Sequence, residues 1–178
     1  MSGTAGFLRI LSTIVLVFLV IGIALVALSA VVLAVAPGIL PENLADGALA
    51  GVTLNGQPAT LEAILAVKNT VLVVMGAALV ELILETVSVS KVRTALGEVR
   101  DEKPFSEKCS KALSGAAVIQ IICAVLMIVE SVVLTFVAKD FAVENLLGTG
   151  IGNSLSLIIL AVFYMMLSKI SEFGRKSF

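Results

Sequence analysis

The chain has 178 residues, of which 59% are hydrophobic and 14% charged, with a net charge of −1 and no histidine. A soluble domain carries roughly 25% charged residues, so this composition excludes an ordinary soluble globule, a disordered chain and a basic nucleic-acid-binding domain. Without histidine, His-ligated zinc and Ser-His-Asp or Cys-His catalysis are excluded as well. The composition predicts an all-α, polytopic membrane protein, a single four-transmembrane-helix bundle whose primary partner is the lipid bilayer.

The first apolar run covers residues 10–36 and contains no charge. Arg9 precedes it and Ala34-Val35-Ala36 resembles a cleavage site, but a signal h-region has only about 7–15 apolar residues. The run therefore reads as a retained helix. Residues 37–60 follow as an outer loop with Glu42 and Asp46 and no Lys or Arg; within it Asn55-Gly56 is a tight-turn candidate.

The second run covers residues 70–89 and carries Glu81 and Glu85. These acids are four apart, on one helical face, and Thr70, Val74, Ala77, Ala78 and Ser88 extend that face. The segment that follows, residues 90–112, is basic: Lys91, Arg93, Arg100, Lys103, Lys108 and Lys111. Val89, Val92, Leu96 and Val99 recur at helical spacing, which predicts that the second helix continues beyond the bilayer. Pro104 then breaks it, Ser106 is placed to N-cap the next helix, and Glu107 suits that helix's first turn. Phe105 is expected to tuck against the end of the bundle.

The third run, residues 113–137, carries the stripe Ala116, Gln120, Cys123, Met127, Glu130 and Ser131. The fourth, residues 151–167, offers Asn153, Ser156, Leu160 and Tyr164, with Ser168 just beyond. Each run is long enough to cross a hydrocarbon core about 30 Å thick. Counted at about 1.5 Å per residue, Glu85, Gln120 and Tyr164 fall in one polar layer. Glu130 falls in a second, within reach of Lys68 at the head of the second helix. Gly148 and Gly152 form a GxxxG pair at the mouth of the fourth run, a pattern that permits close helix approach. The two cysteines read as a thiol at a cytoplasmic helix start, a position that can lower a pKa but where no redox role is expected (Cys109), and a packing residue inside the membrane (Cys123).

Ten of the twelve Lys and Arg residues lie on the side shared by both termini and residues 90–112; Lys68 and Lys139 lie on the other. The positive-inside rule assigns the ten-residue side to the cytoplasm.

The step Pro104-Phe105-Ser106-Glu107, followed by Leu113, resembles a bacterial four-helix membrane family, the domain of unknown function 2975. That family carries Pro-Phe-Ser/Thr between an amphipathic extension of its second helix and the start of its third. Glu102 stands where the family often has glycine. The resemblance implies a bacterial plasma-membrane (inner-membrane) protein with no catalytic residues. By gene neighbourhood it implies a link to small helix-turn-helix regulators.

No catalytic group, metal-ligand cluster or cofactor motif is expected. The oligomeric state is open. Two functional readings follow. In the first, the basic segment engages a cytoplasmic regulatory protein; its interleaved Glu98, Asp101, Glu102 and Glu107 suit a protein partner better than a polybasic lipid clamp. In the second, the chain is a small transporter or channel component in which Glu81, Glu85 and Glu130 handle protons or cations.

Overall fold

The computed structural model describes residues 2–36, 53–54, 57–58, 61–137 and 146–177. Among these, the elements in chain order are α1 (Ser2–Val35), a short antiparallel pair β1 (Thr53–Leu54) and β2 (Gln57–Pro58), α2 (Leu61–Ala66), α3 (Lys68–Arg100), α4 (Glu107–Val137) and α5 (Leu146–Ser177). The pairing sets Leu54 opposite Gln57, which brackets Asn55-Gly56. Those two residues and most of the outer loop lie outside the described residues.

Four helices, α1, α3, α4 and α5, are long and apolar enough to cross a membrane. At 31 to 34 residues they span about 46–51 Å, more than the hydrocarbon alone requires. The excess lies mainly where α3, α4 and α5 become charged. As the Val89–Val99 stripe predicts, α3 continues past its apolar stretch to Arg100.

The helices pack in sequence, α1 on α3, α3 on α4, and α4 most extensively on α5. The alternation brings the N-terminus of α1, the α3–α4 elbow and the C-terminus of α5 to one end. Small residues explain the α4–α5 seam. Ala112, Ala116, Ala117, Cys123 and Ala124 of α4 are buried, as are Ser154, Ala161, Ser168 and Ser171 of α5. In lipid, where apolar burial gives no net drive, such residues let helix backbones approach and gain dispersion contacts. The expected α5 face is displaced: Asn153 and Ser156 are exposed, and the buried stripe is Ser154–Ala161–Ser168, at heptad spacing. A side chain at Gly152 would meet nothing within 4 Å, so among the described residues no helix packs closely on that glycine. The outer face of α1 is continuously apolar, with Phe7, Ile10 and Phe18 all more than 60% exposed, as suits a lipid-facing helix. Between α1 and α5, over α3, an apolar groove of about 580 Å³ opens, with Leu8, Val15, Leu96, Leu113 and Leu167 on its walls.

The elbow is closed by hydrogen bonds. Glu102 N–H donates to the Val99 carbonyl (3.2 Å) and Lys103 N–H to the Glu98 carbonyl (2.8 Å), the paired bonds of a Schellman ending. That ending requires Glu102 to take φ 60°, the left-handed region that favours glycine. Ser106 then caps α4: its Oγ accepts the Cys109 N–H at 3.0 Å and donates to Glu98 Oε2 at 2.9 Å. Phe105 rests its ring on Gly174 of α5, where any side chain would overlap it, yet the residue stays 40% exposed. It is thus docked on the bundle end without being enclosed.

A left-handed residue that is not glycine costs about 1–2 kcal/mol. Glu102→Gly is therefore expected to stabilise the folded chain by about 1 kcal/mol, read as a raised unfolding midpoint in detergent. Glu102→Val, whose branched side chain tolerates the left-handed region least, should lower it.

Candidate functional site in the α3–α4 seam

The polar residues of the membrane-spanning stretches converge between α3 and α4. Gln120 is 2% exposed, and its Nε2 donates to Glu85 Oε2 at 3.0 Å and to Ser88 Oγ at 2.9 Å. Glu85 and Ser88 are three apart on α3, so one amide from α4 serves both. About one turn further from the elbow, Glu81 of α3 and Glu130 of α4 border one apolar cleft of about 260 Å³, lined by Val74, Ala77, Leu126 and Val129.

Not every polar atom in the seam is satisfied. Glu81 Oε1 and Gln120 Oε1 are buried without a hydrogen-bond partner. Buried polar atoms are nearly always paired in folded proteins, so two such acceptors a few turns apart, both at one seam, mark a place where a proton donor fits.

The expected layers are therefore half reproduced. Glu85 and Gln120 meet as the spacing predicts, and Tyr164 lies within electrostatic range of Glu85 without a hydrogen bond to either. It packs with Val99 and Leu167 against Ala95, Cys109, Ala112 and Leu113, closer to the elbow. Nor does Lys68 reach Glu130: its Nζ donates to the Ala34 carbonyl at 2.8 Å. Ala34 lies in the last turn of α1, whose terminal carbonyls lack intrahelical partners and attract cations. That local demand outcompetes a carboxyl across the bundle, and Glu81 is left as the group facing Glu130.

The elbow end holds the basic residues, but most of them are neutralised locally. Lys108 pairs with Glu98 at 2.9 Å, Arg100 with Asp101 at 3.1 Å, and Lys111 with Glu107. Arg175 of α5 also reaches Glu107, at 3.3 Å, and Lys169 and Lys176 share Glu172. The Lys108 ammonium, with help from the Ser106 hydroxyl, holds the Glu98 carboxyl below the usual carboxylate range; Glu98 lies beyond the apolar stretch of α3. The stem of Lys91 lies over Gly115 of α4, and Lys103 is exposed. Cys109 is only 2% exposed, and burial pushes its thiol up, against the lowering that a helix start can give.

Serine hydroxyls complete this end, and of these the sequence marks Ser168 but not Ser110 or Ser171. Ser168 Oγ donates to the Ser110 carbonyl (2.9 Å), Ser110 Oγ donates to the Ser168 carbonyl (3.2 Å), and Ser171 Oγ donates to the Pro104 carbonyl (2.7 Å). The signal for Ser171 is its place one turn beyond Ser168 on the same helical face.

Among the described residues, no group of three or more Cys, Asp and Glu is placed to hold a metal ion. Comparison of the chain with family models, curated proteins and solved structures finds no match.

Interhelical hydrogen bonds in membranes contribute about 0.6 kcal/mol on average and at most about 1.7. A double-mutant cycle with Glu85→Ala and Gln120→Ala should give a coupling energy in the upper half of that range, since Gln120 has no other helix to bond. Unfolding in mixed micelles provides the measurement.

Proposed function

We propose that the chain is a bacterial inner-membrane protein with four spans and both termini cytoplasmic, and that it is a small transporter or channel component rather than an enzyme. Its working element is the α3–α4 seam, which takes up and returns protons. The observation that carries this reading is the cleft shared by Glu81 and Glu130, beside two buried, unpartnered acceptors, Glu81 Oε1 and Gln120 Oε1. Ionisable groups inside a span are costly to insert and usually mark ion or proton pathways. Two acids on one cleft in hydrocarbon are costly to hold charged together, so uptake of a proton by either relieves the pair and its loss restores the charge. The oxygens and amide available suit a proton better than a metal ion.

Proteoliposomes loaded with a pH-sensitive dye and held at an imposed proton gradient test this. Wild type should dissipate the gradient faster than empty vesicles, and Glu81→Gln and Glu130→Gln should each remove most of that excess while the protein remains folded. Equal rates in wild type and both variants would leave the acids as interhelical packing groups only.

A second reading has its own support at the elbow end. Phe105 and Phe173, 40% and 75% exposed, flank Lys169 and Lys176 around Gly174. Aromatic rings among cations suit a cytoplasmic protein partner with acidic and apolar groups. The Pro104-Phe105-Ser106 step, through its resemblance to the domain of unknown function 2975, supports the same reading and a regulatory role.

Both readings need the elbow inside the cell. With Asn55→Cys and Lys103→Cys introduced separately, an impermeant thiol reagent added to intact cells should label the first and spare the second, and a permeant reagent should label both. The native Cys109, being buried, should react slowly with either. Labelling of Lys103→Cys by the impermeant reagent would invert the orientation.

A further inference from the structure

Two guanidinium groups at the elbow end stand outside its network of ion pairs. Arg100 and Arg175 each have a carboxylate partner, whereas Arg9 and Arg93 have none among the described residues. Both belong to the seam between α1 and α3. The Arg9 Cζ lies 3.9 Å from the point where a side chain on Gly97 would begin, so the guanidinium lies over α3. Arg93 is one helical turn before Gly97 and shares its face. Arg93 is half-buried, and its Nε is enclosed and has no hydrogen-bond partner. A charged donor removed from water and given no acceptor is an uncompensated desolvation cost.

Their depth is specific. Arg9 directly precedes the apolar run of α1. Arg93 lies four residues past Val89, where the apolar stretch of α3 ends, or about 6 Å at helical rise. The headgroup layer on each side of the hydrocarbon core is about 5–8 Å deep. If α1 and α3 cross the bilayer, both guanidiniums therefore sit at the level of lipid phosphates.

We propose that Arg9 and Arg93 form a binding site for the phosphate of one anionic phospholipid at the elbow-side face of the α1–α3 seam. Planar guanidinium groups match phosphate oxygens two at a time, and the charge-assisted bonds supply the acceptors that Arg93 lacks. A phosphate bound by both would bridge the two helices and neutralise two cations that have no carboxylate partner among the described residues. The inference rests on the spanning of α1 and α3 alone and is independent of proton handling by the acids.

Native mass spectrometry of the full chain, released from nanodiscs containing equal amounts of phosphatidylglycerol and phosphatidylcholine, tests the site. Wild type should retain one phosphatidylglycerol in preference to phosphatidylcholine. A charge-assisted hydrogen bond is worth a factor of about ten or more, so Arg9→Gln with Arg93→Gln should lower retained phosphatidylglycerol at least about tenfold. Lys103→Gln, which removes an exposed and unpaired cation, should leave retention unchanged. If the double Gln variant does not fold, Arg9→Lys with Arg93→Lys keeps the charge and loses the fork, and should retain an intermediate amount. Equal retention of the two lipids by wild type would overturn the proposal, as would an equal loss in Lys103→Gln. Displacement of the lipid by glycerol phosphate at matched concentration would also overturn it, by assigning the arginines to a soluble phosphorylated ligand. Proton flux unaffected by loss of the lipid would leave this site standing whatever the fate of the proton reading.

Discussion

The amide of Gln120 is the group on which the interior of this molecule depends. It is enclosed, it belongs to α4, and both of its hydrogen bonds run to α3. Within hydrocarbon there is no water to replace those bonds, so any rotation or slide of α3 against α4 would strand Glu85, Ser88 and the amide together. Apolar packing alone would specify this register weakly, because lipid tails solvate Val and Leu as well as another helix does. The amide thus fixes register, and register in turn places Glu81 opposite Glu130. The placing of the two acids on one cleft is a consequence of where Gln120 sits.

The two ends of the bundle are fixed by different chemistry. At the elbow end, Ser106 caps α4 and holds Glu98, Glu98 holds Lys108, and Ser168 and Ser171 tie α5 to α4 and to Pro104. These are short local bonds among small residues, and they define a rigid end. At the other end, the described tie between α1 and α3 is the Lys68 ammonium on the Ala34 carbonyl. The helix order makes α1 and α5 the two end members: α1 packs chiefly on α3 and α5 chiefly on α4, and an apolar groove lies between them. The two inner helices, α3 and α4, therefore carry the seam on which both outer helices are hung.

Much of this was legible in the sequence because the physics of a membrane span is one-dimensional. Hydropathy and length located the four long helices, and the Val89–Val99 stripe correctly carried α3 beyond its apolar stretch. Ser106 and Glu107 announced the start of α4, and equal-depth counting brought Glu85 to Gln120. What failed was rotational phase and competition. In α5 the serines are spread around the helix, so polarity alone could not say whether Ser154 or Ser156 faces inward. The steric demand of the α4 alanines decides it. For Lys68, depth placed Glu130 within reach, but the free carbonyls ending α1 lie closer. Glu102 is the reverse case: a departure from glycine that the sequence displayed, and whose meaning appears only in its positive φ.

The distribution of charge also orders the two functional readings. Of the six cations in the basic segment, Arg100, Lys108 and Lys111 are held by Asp101, Glu98 and Glu107, and at the same end Glu107 and Glu172 hold Arg175, Lys169 and Lys176. Exposed pairs of this kind contribute little to stability, yet they reduce the field available to an acidic partner. The intramembrane acids have the opposite character. Glu81 has no cation opposite it, because Lys68 is committed elsewhere, and its neighbours are a second carboxyl and apolar side chains. A structural role would be filled equally well by glutamine or serine, which bond across helices without a charge to neutralise. Acids at these two positions cost more to insert than such neutral groups would, and it is this cost, set against the neutralised cations of the elbow, that ranks the proton-handling proposal ahead of the docking one.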